Sequence, residues 1–129
     1  MDNNLNYSVA ERKDPRNPEQ EGLYYAHVRS RGVLDTKELI ERIRNRGTVG
    51  SPDIVAVLIT MEDIVTEALC NGEIVRLGEL GSLSLSVSST GCRSKEDFDS
   101  KHITKVRAIF KEGRTLRCGM ATVHFKKVE

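Results

Sequence analysis

Residues 72–88, GEIVRLGELGSLSLSVS, decide the fold that is predicted for this chain. Residues 74–77 form a short apolar-rich strand, and residues 78–81 form a turn in which glycines adopt backbone angles that other residues resist. After the turn, serine alternates with leucine and valine as far as Ser88, which is the period of two typical of a β-strand. The stretch therefore predicts a β-hairpin.

A short helix is predicted before this hairpin. Asp35 or Thr36 is a suitable N-cap, and Glu38 follows in the manner of a capping box. The helix should run to about Arg46 and end at Gly47.

A longer helix is predicted next, with Ser51 as its cap, Pro52 at the first helical position and a stop at Asn71-Gly72. Its apolar residues recur at the spacing of one wide buried stripe. They are Ile54, Val57, Leu58, Met61, Ile64, Val65, Ala68 and Leu69. The stripe predicts packing against a second chain, with a core helix in a monomer as the alternative.

Strands are also predicted near both ends of the chain. Residues 7–10 and 23–28 flank a loop rich in turn-forming residues and could pair as a hairpin. After a polar loop at residues 89–101, residues 103–111 alternate, with three cations on one face of the strand, and residues 120–128 alternate again.

The composition favours one folded domain, with 129 residues of which 38% are hydrophobic. The most apolar stretch, residues 54–70, is interrupted by charged side chains and is far from the roughly 20 consecutive apolar residues of a membrane span. No secretory signal is recognised at the N-terminus, so we expect a cytoplasmic protein that does not enter a membrane. Three widely spaced cysteines indicate reduced thiols, and no metal site is expected.

Charge is unevenly distributed along a chain whose net charge is only +1. Residues 88–118 hold eight basic and four acidic side chains, whereas residues 1–32 hold five of each. The basic segment suggests an anionic partner, and a solvated surface without a partner is the alternative. Because the chain has no nucleophile with a base and no P-loop, we expect no enzyme activity, no cofactor and no small-molecule substrate.

Two helices followed by residues 72–83, GEIVRLGELGSL, resemble the HU and integration host factor family of bacterial histone-like DNA-binding proteins, especially its longer, HU-related branch. The match covers about residues 33–90 and depends on Gly72, Val75, Leu77, Gly81 and Leu83. The resemblance implies an α+β, HU/IHF-like fold in which two N-terminal helices precede an antiparallel β-sheet with an extended arm. It also implies an intertwined homodimer whose β-arms embrace the DNA minor groove and bend the duplex.

The resemblance divides the chain into two parts. We expect residues 1–32 to be an N-terminal β-hairpin extension and residues 33–129 to be the HU-like DNA-binding domain, with its arm at about residues 88–114. Residues 90–114 contain no proline, although an arm-tip proline kinks DNA in the family. Phe98 is the candidate wedge in its place, and local packing of its ring is the alternative, which the neighbouring acids favour.

The resemblance also supplies the candidate DNA-binding residues by position. They are Arg76, Ser82, Arg93, Lys95, Lys101, Lys105, Arg107, Lys111 and Arg114. We expect a nucleoid-associated homodimer that binds double-stranded DNA without sequence preference. The alternative is an HU-like scaffold that has lost strong DNA binding and bending and binds another protein.

Overall fold

The computed structural model describes residues 4–128 and contains helices and two three-stranded sheets, which confirms the mixed α+β class. The elements are β1 (Asn4–Arg12), β2 (Leu23–Val28), α1 (Thr36–Arg46), α2 (Ser51–Cys70), β3 (Val75–Leu77), β4 (Gly81–Ser89), β5 (Ile103–Glu112), α3 (Arg114–Met120) and β6 (His124–Lys127). The chain divides into two compact units, one made of residues 4–39 with 119–128 and the other of Ile40–Cys118.

The first unit is built on a sheet of strand order β2-β1-β6. β1 and β2 are antiparallel, and β6 pairs with β1 in parallel, with Asn4 opposite His124. The predicted division into domains 1–32 and 33–129 stays a prediction. In space, strands from both sides of that boundary share this sheet.

The helices begin for local reasons. The Asp35 side chain accepts a hydrogen bond of 2.9 Å from the Glu38 backbone N–H, as expected of an N-cap. In α2 the cap position is Gly50, and no side chain caps the helix. The prediction that Ser51 is the cap is therefore wrong, because the Ile54 N–H donates to the Gly50 carbonyl and the helix starts one residue earlier.

The second unit is built on the antiparallel sheet β3-β4-β5, against which α2 packs. β3 and β4 are joined by a tight turn in which Gly78 has a φ of 57°, a left-handed conformation that favours glycine. A short 3₁₀ helix, Ser100–His102, lies in the loop between β4 and β5, and α3, which follows β5, is not among the predicted elements. None of the described helices is long and apolar enough to cross a membrane.

Little apolar surface is buried within one copy of the chain. Among residues 4–128, Ile54 is the hydrophobic side chain that is buried, at 4% exposure. On α2, Val57 and Ile64 are more than half exposed, and so is Val87 on β4. A chain of this size normally buries well over half of its unfolded surface, whereas one copy of this chain leaves these apolar faces exposed.

Candidate nucleic-acid interface

The pairing of β3, β4 and β5 places cations and serines on one side of the sheet. Arg76 pairs with Ser82, and Ser82 pairs on its other side with Lys111. Ser86 pairs with Arg107, and Ser88 pairs with Lys105. Residues that pair directly across a sheet point to the same face. We call this surface the basic sheet face, and it comprises Arg76, Ser82, Ser84, Ser86, Ser88, Lys105, Arg107 and Lys111, with Ile109 opposite Ser84.

The basic sheet face carries no acidic side chain from its three strands. Glu112 is the acid within them, and it pairs with Gly81, in the row of alternate parity that points to the opposite side. The four cations are exposed, and the serines between them are half-buried. Along β5, Lys105 and Arg107 are about 7 Å apart and Lys111 lies about 14 Å beyond Arg107, at the rise of an antiparallel strand. The cations of this face therefore extend over about 20 Å.

A shallow depression of about 210 Å³ lies where Arg76, Ser82 and Lys111 pair across the three strands. Arg76 and Lys111 line it together with Ser82, Glu112 and several glycines. The backbone approaches closely here, because a Cβ on Gly81 would lie only 2.5 Å from the carbonyl oxygen of Lys111. Two cations, one carboxylate, bare backbone and a hydroxyl therefore meet here, and the formal charge of the depression is positive.

The tip of the β4–β5 hairpin is ordered by contacts within its own loop. The Phe98 ring stacks on the His102 ring, with centroids 4.9 Å apart and an interplanar angle of 24°. The Asp99 carboxylate accepts a 3.0 Å hydrogen bond from the Lys101 N–H and lies 3.2 Å from Nδ1 of His102. Glu96 accepts a hydrogen bond from the Ser94 hydroxyl. Phe98 is thus packed locally and remains 40% exposed.

The structure brings together five of the predicted DNA-binding residues: Arg76, Ser82, Lys105, Arg107 and Lys111. It places Arg93, Lys95 and Lys101 in the loop or 3₁₀ turn at the hairpin tip and Arg114 at the start of α3. For all nine predicted residues, a role in DNA binding stays a prediction. The role of Phe98 as a wedge also stays a prediction.

Sequence reasoning predicted Ser82 but missed the other three serines of the site. Ser84, Ser86 and Ser88 alternate with apolar residues, and this alternation was the signal that could have assigned them to one face. Their position opposite the β5 cations depends on the strand register, which the sequence alone does not specify.

Comparison with solved structures shows the same fold in a longer protein. A crystal structure of a candidate bacterial DNA-binding protein from Bacteroides vulgatus aligns with 99% of this chain at a TM-score of 0.70 and 16% identity. This chain covers 49% of that protein, and so spans about half its length. An HU mutant from Thermotoga maritima aligns over 67% of this chain and 97% of its own, with 24% identity and a TM-score of 0.48. No curated protein matches the chain.

The comparison with family models reaches almost the whole described chain. The family model HU-HIG, described as an HU domain fused to wHTH, Ig, or Glycine-rich motif, matches residues 4–127. The predicted resemblance to HU proteins is thereby confirmed. Since the match covers far more than half of its length, this chain belongs to the HU-HIG family of HU-domain proteins.

Proposed function

We propose that this chain binds double-stranded DNA without sequence preference, as a homodimer with an architectural role in the nucleoid. The observation that carries the proposal is the basic sheet face, on which four exposed cations from β3 and β5 share one surface without a strand carboxylate. Phosphate contacts dominate non-specific DNA binding, and they require such a surface.

The chemistry of the basic sheet face suits the phosphate backbone. Arg76 and Arg107 can each offer two parallel N–H donors to one phosphate, whereas Lys105 and Lys111 act as point charges. The serine hydroxyls between them can donate further hydrogen bonds to phosphate oxygens. Contacts from these groups to phosphate oxygens carry no sequence information, so the proposed binding is insensitive to sequence.

Family membership supports the same function. HU domains are the shared part of the HU-HIG family, and the Bacteroides vulgatus protein of the same fold is described as a candidate DNA-binding protein. That protein is about twice as long as this chain, so the present proposal concerns the HU-like part alone.

The homodimer is proposed because one copy buries too little apolar surface. An open groove of about 440 Å³ runs along α2, with Val57, Met61 and Ile64 among its lining residues. Few apolar side chains are buried beside this helix, so the groove needs a matching apolar surface. A second α2 related by two-fold symmetry provides one. The exposed stripe on α2 is thus assigned to the second copy.

The arm of each protomer is assigned to the β4–β5 hairpin. Its tip carries no proline, and Phe98 is occupied by its stack on His102. We therefore propose contacts along the DNA backbone and minor groove with less base-pair unstacking than an inserted wedge produces.

The test is the binding of the purified protein to a labelled duplex, intact and nicked, by fluorescence anisotropy at several salt concentrations. Each lost phosphate contact should lower the slope of log K against log salt by about 0.9. The double variant Lys105→Ala/Arg107→Ala should therefore flatten the slope by about 2 for each protomer in contact, equally for all sequences. The control Lys13→Ala/Arg16→Ala removes the same charge from a loop outside the basic sheet face and should leave the slope unchanged.

Two results would overturn the proposal. If the control flattens the slope as much as the arm variant does, the basic sheet face is not the contact surface. If the wild-type protein does not bind even at low salt, the chain is better described as an HU-like scaffold with a protein partner.

Tighter binding to the nicked duplex would indicate that the protein bends DNA.

A further inference from the structure

The sheet β2-β1-β6 has two faces of different chemistry. Alternation along the paired strands places Leu5, Tyr7, Ala26, Val28 and Phe125 on one side, where they line an apolar hollow of about 430 Å³. The opposite side carries Ala10, Leu23 and Tyr25 near the β1–β2 loop and polar and basic residues away from it. We call this polar and basic part the N-terminal basic face, and it comprises Asn4, Asn6, Ser8, His27, Arg29, His124 and Lys126.

Arg29 is anchored at the centre of the N-terminal basic face. Its Nε donates a 2.8 Å hydrogen bond to the hydroxyl of Ser8, which is only 5% exposed. Its backbone N–H donates to the Asn6 carbonyl, also at 2.8 Å. A guanidinium has five N–H donors, and the bond to Ser8 uses one of them. The side chain is therefore held in place while the group itself stays exposed.

Lys126 lies in the same row as Arg29. Asn6 pairs with Lys126 on one side and receives the Arg29 N–H on the other. Two strand spacings therefore separate the two cations, or about 10 Å. His27 and His124 are each about 7 Å away along their own strands. The four nitrogen-bearing side chains are all exposed.

The described strands of this sheet contribute no carboxylate to the N-terminal basic face. Glu11 is their acid; it has the parity of the apolar side, and its Oε1 accepts a hydrogen bond from the Gly22 N–H. Residues 1–32 hold equal numbers of basic and acidic side chains, but the acids other than Glu11 lie in the loop before β2 or at the N-terminus. The acids are therefore separated in the chain from the cations of this face. The fold thus produces a positive face from a segment that is neutral in sum.

We infer that the N-terminal basic face is a second contact surface for the phosphate backbone of double-stranded DNA. The inference rests on the proposed function and extends it from the basic sheet face to the sheet β2-β1-β6. Two cations about 10 Å apart, each with an imidazole about 7 Å away, suit a repeating polyanion, which has a phosphate at every step of each strand, better than one small anion. The imidazoles can donate N–H groups to phosphate oxygens without being charged.

The experiment uses two adjacent lysines that point to opposite sides of β6. Lys126 has the parity of the N-terminal basic face, whereas Lys127 pairs with Tyr7 on the apolar side. Lys126→Ala should weaken duplex binding about eightfold at 0.1 M salt and lower the salt slope by about 0.9 per protomer in contact. Lys127→Ala removes the same charge from the same strand and should change neither value.

Arg29→Gln provides an independent test of the same surface. Glutamine retains an N–H donor for Ser8 but lacks the charge, so the slope should fall as it does for Lys126→Ala. A thermal unfolding curve establishes that this variant is folded, and if it is not, the lysine pair alone decides.

The outcomes separate this inference from the proposed function. If Lys126→Ala and Lys127→Ala behave alike while Lys105→Ala/Arg107→Ala still flattens the slope, the second surface is wrong and the proposed function stands. If the wild-type protein binds no DNA, both are wrong.

Discussion

Replacing Gly81 by alanine would place a methyl group where β4 and β5 approach most closely. The added Cβ would lie 2.5 Å from the Lys111 carbonyl oxygen and 2.5 Å from Cζ of Phe110, where ordinary contact begins at 3.4 Å. About 0.9 Å has to be relieved at each contact, and a strand carbonyl cannot retreat without disturbing its ladder. Overpacking of this kind costs about 1–3 kcal/mol, and a weakened ladder hydrogen bond adds about 1 kcal/mol.

The higher strand preference of alanine offsets about 0.5–1 kcal/mol of this cost. We therefore expect Gly81→Ala to lower the free energy of unfolding by about 1–3.5 kcal/mol, and the Tm by roughly 3–17 °C for a domain of this size. The assay is thermal and urea unfolding at one fixed protomer concentration, because the proposed dimerisation would make stability depend on concentration.

Gly91→Ala is the matched control, because a Cβ at Gly91 meets nothing within 4 Å. Its stability should change by less than about 0.5 kcal/mol. If Gly81→Ala unfolds within 2 °C of the wild type, which is about the error of the assay, the close approach of β4 to β5 is wrong.

Two further predictions concern the dimer and the arm tip. Met61→Glu puts a carboxylate into the α2 groove, where burial without a partner costs several kcal/mol. Sedimentation equilibrium should therefore detect monomer or unfolded chain. An unchanged dimer mass would exclude this groove as the interface. Phe98→Ala removes the stack on His102 and should change the duplex dissociation constant less than about threefold, whereas a loss above tenfold would establish Phe98 as a wedge.

The elements that were predictable are those determined by local signals. The bounds of α1 and the end of α2 follow from capping residues and from a period of 3.6, both of which are visible within a few residues. The short helix α3 was missed because its seven residues include Gly119 and carry no apolar stripe.

The candidate site was predictable only in part, for a related reason. Alternation places Lys105, Arg107 and Lys111 on one face of β5 without any knowledge of the fold. The approach of Arg76 to Lys111 requires two strand registers at once, and the N-terminal basic face requires β6 to return to β1. Such pairings are decided by tertiary packing, which local sequence does not encode.

The parallel pairing of β1 with β6 has a consequence for how the protein folds. Asn4 lies opposite His124, 120 positions later, so this contact closes a loop that spans nearly the whole described chain. Contacts between residues so far apart in sequence form slowly, because the entropic cost of loop closure comes before the pairing stabilises the sheet. During synthesis, β1 and β2 emerge long before β6, and one edge of β1 stays unpaired in the meantime. The N-terminal sheet is therefore expected to be the last part of the chain to become native and the part most exposed to mispairing between nascent chains.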